Sequence, residues 1–313
     1  MSPLDILYVV LGPIFLLVIG GAIVQWRTPI DIKPLATLQI RILVPAFLLV
    51  RLSESSLSWA SVWQVALGIA AIKIAMALVL LAIAKLAHLS RSTTFVLLIT
   101  TCVFNAGNFG IPVAERTFGQ NGAAVEAVVV LMSNFSLWGI GYAVMSAQSS
   151  PGLSWLKQYF SLPMPYAFLL ALFIKATGIH IPEPIWSPIK WCADAVVPVA
   201  LLTLGMQLAK QARWPSLKFV SIAVVAKLVI MPLIACGVCI AFGYWPWPGG
   251  QMILAASSPS AVNAVLLAID QKADVERTTD IVFWTTAVAS VTVPIVIWLL
   301  YMCGGQLLPR PWE

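Results

Sequence analysis

The stretch FNAGNFGIPVAERTFG, which runs from Phe104 to Gly119, decides the fold. Its first nine residues contain two Asn, two Gly and one Pro, the residue types that form turns and interrupt helices. The residues before it, Thr93 to Val103, are typical of the first half of a membrane-spanning helix. The sequence therefore predicts a helix that polar residues break at a depth where hydrocarbon would surround it.

Composition places the chain among integral membrane proteins. Hydrophobic residues make up 60% of it, charged residues 10%, and mean hydropathy is +0.95, whereas soluble domains are about half apolar and about a quarter charged. Asp5 and the lack of basic residues before the first apolar segment favour a membrane helix over a cleaved signal peptide. Segments of about 20 apolar residues predict ten membrane spans and leave no room for a soluble domain: residues 5–25, 34–50, 59–84, 93–117, 122–146, 154–177, 187–208, 216–242, 249–271 and 279–303.

The basic residues are distributed unevenly between the two faces that these spans define. The excess lies on the connections after the odd-numbered spans, so the positive-inside rule predicts that these connections are cytoplasmic. We therefore expect a multi-pass protein of the inner (plasma) membrane with both termini outside the cytoplasm, and the net charge of +6 needs no nucleic-acid partner. The odd connections hold Arg27, Lys33, Arg41, Lys85, Arg91, Lys157, Lys210, Arg213, Lys218, Lys272 and Arg277; the other face holds Arg51, Arg116, Lys175, Lys190 and Arg310.

Four segments of the first half recur in order in the second half, at a nearly constant separation. GPIFLLVIG matches MPYAFLLAL, VPAFLLVRL matches VPVALLTLG, IKIAMALVLL matches AKLVIMPLIA, and the break at 105–112 matches SSPSAVNAV. Residues 1–148 and 149–313 are therefore predicted to be two repeats of five spans each. Because five is odd, the second repeat is inverted in the membrane, as is typical of secondary transporters.

The second break lies in AASSPSAVNAVLLAID, residues 255–270. Ser258 followed by Pro259 suggests a helix N-cap with Pro at the first helical position, and Pro112 can open a half-helix after the first break. Half-helix N-termini carry partial positive charge and suit an anion such as a carboxylate. We expect both breaks to form one site at the membrane midplane; the alternative is a pair of kinks whose polar side chains only satisfy freed backbone groups. The polar side chains are Asn105, Asn108, Ser258, Ser260 and Asn263.

Two lysines lie at matching positions within the third and eighth spans. Lys73 and Lys227 could neutralise an anionic substrate, donate to carbonyls of the broken helices, or carry a proton; we favour the second role. Asp194 is a candidate proton site, although it can equally lie near a helix end. We expect the other acidic residues near span ends to be solvated: Glu115, Glu126, Asp270 and Asp280.

Enzymatic chemistry finds little support in the chain. His88 and His180 are far apart, the five Cys lie in apolar segments, and no HExxH or GxSxG motif is present. We therefore expect no catalytic residues, no metal and no cofactor, and the expected partners are a small organic anion, the lipid bilayer and, as a candidate, a second copy of the chain.

The segments FNAGNFGIPVAERTFG, VPVALLTLGMQLA, AKLVIMPLIA and SSPSAVNAVLLAI resemble the auxin efflux carrier family of membrane transporters in its short-loop prokaryotic form. The resemblance implies an all-α fold of ten helices, similar to bile-acid symporters and sodium/proton antiporters, in which helices 4 and 9 cross at unwound centres. It also implies a scaffold from helices 1, 2, 6 and 7 and a moving core from helices 3–5 and 8–10. The family's crossover residues correspond to Asn105, Gly107, Asn108, Pro112, Pro259 and Asn263.

Members of that family are associated with organic anions, such as the auxin indole-3-acetate in plants and dicarboxylates in bacteria. The resemblance and the residue pattern together predict a secondary transporter, an exporter of small organic anions with an elevator-type alternating-access mechanism. The alternative is a sodium- or proton-coupled symporter of another solute on the same fold.

Overall fold

The computed structural model describes residues 6–145, 154–211, 217–305 and 308–309. Its regular structure, within these ranges, is helical, and the one β feature is an isolated bridge. We number the helices α1 (Tyr8–Arg27), α2 (Ile32–Ser53), α3 (Trp59–Leu86), α4 (Arg91–Cys102), α5 (Ile111–Met145), α6 (Ser154–Phe160), α7 (Met164–Thr177), α8 (Glu183–Asp194), α9 (Val196–Gln211), α10 (Phe219–Ala241), α11 (Gly249–Ala256), α12 (Asn263–Asp270) and α13 (Val275–Gly304).

Six stretches of the described residues are long and apolar enough to cross a membrane: α1, α2, α3, α10, α13 and Glu183–Lys210, which contains α8 and most of α9. Of the other four predicted spans, three are each divided between two helices, and the fifth lies within α5 together with the end of the fourth. The fourth is split between α4 and the start of α5, the ninth between α11 and α12, and the sixth between α6 and α7. The predicted repeat boundary between residues 148 and 149 lies outside the described residues, as do Arg213 and Arg310.

Proline determines where several helices change their winding. Four π-helical turns in the described ranges are each followed by a proline two residues later: Pro13, Pro45, Pro112 and Pro232. Proline has no N–H to donate and its ring clashes with the carbonyl of the fourth preceding residue. A wider π turn removes that conflict, which explains why the interruption in Phe104–Gly119 takes the form of a π turn at Ala106–Gly110.

The helices pack in two groups. In one group α1 lies along α9, and α2 packs against α7 and α8; in the other, α3, α4, α5, α10, α11, α12 and α13 pack among themselves. Small residues bring α1 and α9 into backbone contact, because a Cβ on Gly21 would lie 2.1 Å from the Leu202 carbonyl oxygen and one on Gly205 would lie 1.9 Å from that of Val18. The first group therefore has a closely packed, rigid centre.

We predict that Gly205→Ala destabilises the protein, because its new methyl group would overlap the Val18 carbonyl and force α1 and α9 apart. Overpacking of this kind costs about 1–3 kcal/mol, which thermal unfolding of the purified protein would detect. The control is Gly237→Ala on α10, where a Cβ meets nothing within 4 Å and helix propensity improves by roughly 0.5–1 kcal/mol. Equal melting temperatures for the two variants would contradict the close contact.

Candidate functional site

The two breaks pair with each other through backbone hydrogen bonds. The N–H of Asn105 donates to the carbonyl of Pro259 (2.9 Å), and the N–H of Ala261 donates to the carbonyl of Val103 (3.1 Å). Phe104 and Ser260 thereby form the isolated antiparallel bridge. Each break thus supplies partners that the other lost on leaving the helix, which makes non-helical backbone tolerable at this depth.

The second break is also held by side chains. The Ser260 hydroxyl donates to the Thr100 carbonyl (2.6 Å), and the Ser260 N–H donates to the Thr285 hydroxyl (3.2 Å). Ser258 does not cap a half-helix as expected, because α12 begins only at Asn263, after Val262, and has no side-chain cap. Ser258 and Ser260 are buried inside the crossing, and neither they nor Pro259 line the cavity beside it.

A cavity of about 70 Å³ lies where the breaks meet α2, α5, α7 and α9. Four of the predicted site residues line it: Asn105, Gly107, Asn108 and Asn263. The structure adds polar residues that the sequence analysis missed, which are Gln39, Ser133, Asn134 and Gln207. They could have been found as polar residues inside apolar segments, which usually face a protein interior or a cavity.

A second cavity, of about 260 Å³, continues from the first toward one face of the molecule. It shares Ile40, Asn134, Leu137 and Asn263 with the first cavity and extends to Asp270, the exposed end of α12. We call this side, with the connections at 28–31, 161–163 and 271–274, the Asp270 face. The opposite side, with the connections at 54–58 and 178–182 and the turn at Gly119, is the Glu54 face.

The two membrane lysines contact the same ring but have different hydrogen-bond partners. Lys73 Nζ lies 4.5 Å and Lys227 Nζ 4.1 Å from the centroid of Phe104. Lys227 donates to the carbonyl of Ala256 at the end of α11 (3.3 Å), as expected for a residue that secures a break. Lys73 instead donates to hydroxyls on α5, those of Ser133 (3.0 Å) and Ser136 (3.2 Å). Lys73 therefore acts on the cavity through Ser133, which lines it.

Ion pairs join the helices at the Glu54 face. Arg51 on α2 bonds Glu115 on α5 (2.9 Å) and Asp194 at the end of α8 (3.0 Å). Asp194, the candidate proton site, is 62% exposed in this pair and does not line the cavity beside the crossing. Close by, partial burial opposes ionisation of Glu54, but hydrogen bonds from Lys190 and Trp186 outweigh it and lower the pKa of the carboxyl.

Two acidic residues contradict the expectation that they are solvated. Glu126 is fully buried (0% exposed), and Asp280 is 6% exposed. The Glu126 carboxylate accepts a hydrogen bond from the Gln251 side chain of α11 (2.7 Å) and lies against Gly110, beside the first break. The sequence analysis placed no acidic residue at the crossing; α5 supplies one from the side.

A helical protein with several candidate membrane spans, two paired helix breaks and a polar cavity beside them has the architecture expected of a membrane transport protein. Comparisons with known proteins agree. Residues 149–297 match the family described as "Membrane transport protein". An uncharacterized transporter from Methanothermobacter thermautotrophicus is 25% identical over 208 residues, which are 66% of this chain and 68% of the relative.

An uncharacterized transporter from Methanocaldococcus jannaschii is 22% identical over 208 residues, which are 65% of this chain and 68% of the relative. These matches are what the chain is similar to, and they agree with its resemblance to the auxin efflux carrier family of membrane transporters. The family match and the relatives point to a transport protein rather than an enzyme.

We predict that Phe104→Leu destabilises the protein more than a Phe→Leu change elsewhere in the core. The ring contacts two ammonium groups, each contact being worth about 0.5–2 kcal/mol, and leucine keeps an apolar side chain without the ring's electrostatic attraction. The control is Phe95→Leu on α4, a fully buried ring that contacts no cation among the described residues. Equal losses of melting temperature would show that the lysines gain nothing from the ring.

Proposed function

We propose that the protein is a secondary transporter of small organic anions, and that the cavity beside the paired breaks is its substrate site. The observation that carries the proposal is the cavity lining. Six side-chain amides surround a small volume: Gln39, Asn105, Asn108, Asn134, Gln207 and Asn263. Amide groups donate hydrogen bonds to a carboxylate without the cost of burying further charges.

Two sources of positive charge lie next to this cavity: Lys73, which acts through Ser133, and the N-terminus of α12. Because the Ser133 hydroxyl oxygen accepts from Lys73, its own proton is free to donate to a solute. The N-terminus of α12 at Asn263 adds the partial positive charge of a half-helix. An anion therefore suits this site better than a cation, and the volume of about 70 Å³ favours a small one.

The two packing groups support an alternating-access mechanism. The group of α1, α2 and α7–α9 corresponds to the scaffold implied by the family, and the group of α3–α5 and α10–α13 corresponds to the moving core. The cavity extends toward the Asp270 face, which the positive-inside rule assigns to the cytoplasm of an inner-membrane protein with external termini. A site that loads from the cytoplasm suits export, with the core carrying the crossing between faces as in an elevator.

The second candidate is a transporter of the same fold that is coupled to a proton or sodium. The buried Glu126 beside the first break favours it, because a carboxylate in that position has no structural ion pair to explain it in the described part of the chain. The two candidates differ in whether the anion moves alone or with a cation.

We predict that small carboxylates raise the melting temperature of the purified protein. The panel holds malonate, malate, pyruvate, indole-3-acetate and a bile acid, each with and without sodium. At a ligand concentration 100 times the dissociation constant, stabilisation is about 2.7 kcal/mol. Asn263→Ala should weaken binding roughly ten- to hundredfold through one lost charge-assisted hydrogen bond. Gly107→Val should abolish it, because Gly107 lines the cavity and a Cβ there meets nothing within 4 Å, so the larger side chain has room to occupy the substrate's place.

The matched control is Asn121→Ala at the Glu54 face, where the amide accepts a hydrogen bond from Ser56 away from the cavity. Its binding should equal that of the parent protein. Stabilisation that survives in both Asn263→Ala and Gly107→Val would move the substrate site elsewhere. No stabilisation by any carboxylate would reject the anion proposal.

We predict that Arg51→Gln makes the cavity more accessible from the Glu54 face, because the Arg51–Glu115 pair joins the two packing groups there. A partly exposed pair is worth up to about 1 kcal/mol, which corresponds to roughly a fivefold change in the conformational equilibrium. The measurement is labelling of Val262→Cys, a cavity residue, by an impermeant maleimide after replacement of the native cysteines.

Arg277→Gln is the control for this experiment, since Arg277 pairs with Asp274 at the start of its own helix. Labelling from the Glu54 face should rise in Arg51→Gln and stay unchanged in Arg277→Gln. An equal response would mean that the Arg51 pair does not restrain movement between the groups.

A further inference from the structure

We propose that Glu126 is a proton-binding site that couples proton movement to anion movement at the crossing. The coupling, although not the proton site itself, rests on the proposed anion site. The argument begins with hydrogen bonds that are missing. Glu126 Oε1 and Gln251 Oε1 are both buried acceptors without a partner, and they belong to two side chains that are hydrogen-bonded to each other. Buried polar atoms are nearly always paired, so two adjacent unpaired acceptors indicate that a proton binds there.

The space beside Glu126 is too small for most ligands. A Cβ on Gly110 would lie 2.1 Å from Glu126 Oε1 and 3.5 Å from the carbonyl oxygen of Asn105. The Glu126 carboxyl therefore occupies the space that a side chain at residue 110 would fill, close to the Asn105 carbonyl. A proton on Oε1 needs no further space, whereas a metal ion would need room for a shell of oxygen ligands.

Burial, rather than a neighbouring charge, favours the neutral form of Glu126 in this conformation. An isolated carboxylate is costly to bury unless it is paired. The cation that acts on it most directly, Lys73 of α3, does so through space and spends its hydrogen bonds on Ser133 and Ser136. The other titratable groups nearby, Cys102 of α4 and Lys227 of α10, interact with Lys73 rather than with the carboxylate.

Coupling follows from the two residues that connect Glu126 to the cavity. Asn105 lines the cavity, and its backbone carbonyl lies close to the Glu126 carboxyl. Lys73 contacts the cavity through Ser133 and interacts electrostatically with Glu126. When Glu126 is protonated, the positive charge of Lys73 is uncompensated and attracts an anion. When Glu126 ionises, the two charges cancel and the anion binds less tightly.

A proton and an anion therefore bind together and move in the same direction. Export by this route requires an outward anion gradient larger than the inward proton gradient. The effect is reciprocal. If protonation increases the affinity for the anion by some factor, a bound anion increases the affinity for the proton by the same factor.

The first experiment measures proton uptake on anion binding, by titration calorimetry in buffers of different ionisation enthalpy from about pH 5 to about pH 9. The probe is the carboxylate that stabilises the protein most. The parent protein should take up as much as one proton per anion at the high end of this range. Glu126→Gln, which keeps the charge of a protonated residue, should bind the anion without proton uptake, and at high pH more tightly than the parent protein does. Glu115→Gln is the matched control and should retain the uptake.

Anion binding without proton uptake in the parent protein, or uptake that persists in Glu126→Gln, would overturn the coupling and leave the anion site intact. A second measurement needs no solute. Infrared spectroscopy at neutral pH should show the carbonyl band of a protonated carboxylic acid in the parent protein and in Glu115→Gln, but not in Glu126→Gln. The proton site itself would be rejected if Glu126 stayed ionised from about pH 5 to about pH 9. It would also be rejected if sodium stabilised the parent protein but not Glu126→Gln.

Discussion

The backbone hydrogen bonds between Asn105 and Pro259 and between Ala261 and Val103 are the contacts on which the rest of the structure depends. Each break leaves polar backbone groups at a depth where lipid offers no partner, and the cost of an unpaired group there is several kcal/mol. Neither break is stable alone, because each needs the other's N–H and carbonyl groups. The two halves of the chain are therefore held together at this crossing, and the cavity lies beside it.

The two lysines, which lie at matching positions of the predicted repeats, have different hydrogen-bond partners. Lys227 donates a hydrogen bond to the Ala256 carbonyl at the end of α11, whereas Lys73 donates to hydroxyl groups on α5. The difference follows from the neighbouring helix: α5 carries Ser133 and Ser136 where Lys73 reaches it. One lysine can therefore stabilise the crossing while the other supplies charge to the cavity, which an exactly symmetric arrangement would not allow.

The sequence predicted the residues that carry the crossing but not all of their contacts. Composition predicted a membrane protein, and Asn, Gly and Pro in apolar surroundings located both breaks. The sequence analysis missed four polar residues of the cavity, because a single polar residue in an apolar helix does not reveal which way it faces. These are Gln39, Ser133, Asn134 and Gln207. It misjudged Ser258, since backbone pairing across the crossing delays the next helix to Asn263. Ten spans were expected where six uninterrupted ones are described.

Glu126 was misjudged for a reason that spacing alone cannot reveal. It lies one helical turn beyond Gly122, and a Cβ on Gly122 would come within 2.4 Å of the Ala114 carbonyl. The turn at Gly119, with its positive φ, folds the two arms of α5 against each other at this close distance. One turn further on, Gly110 leaves the space that receives the Glu126 carboxyl. Gly110 and Gly122 allow this close approach of the backbone. As a result, the Glu126 carboxylate is buried beside the crossing although the residue lies near a chain turn. The same absence of side chains that lets the break form also brings a proton-binding group to it.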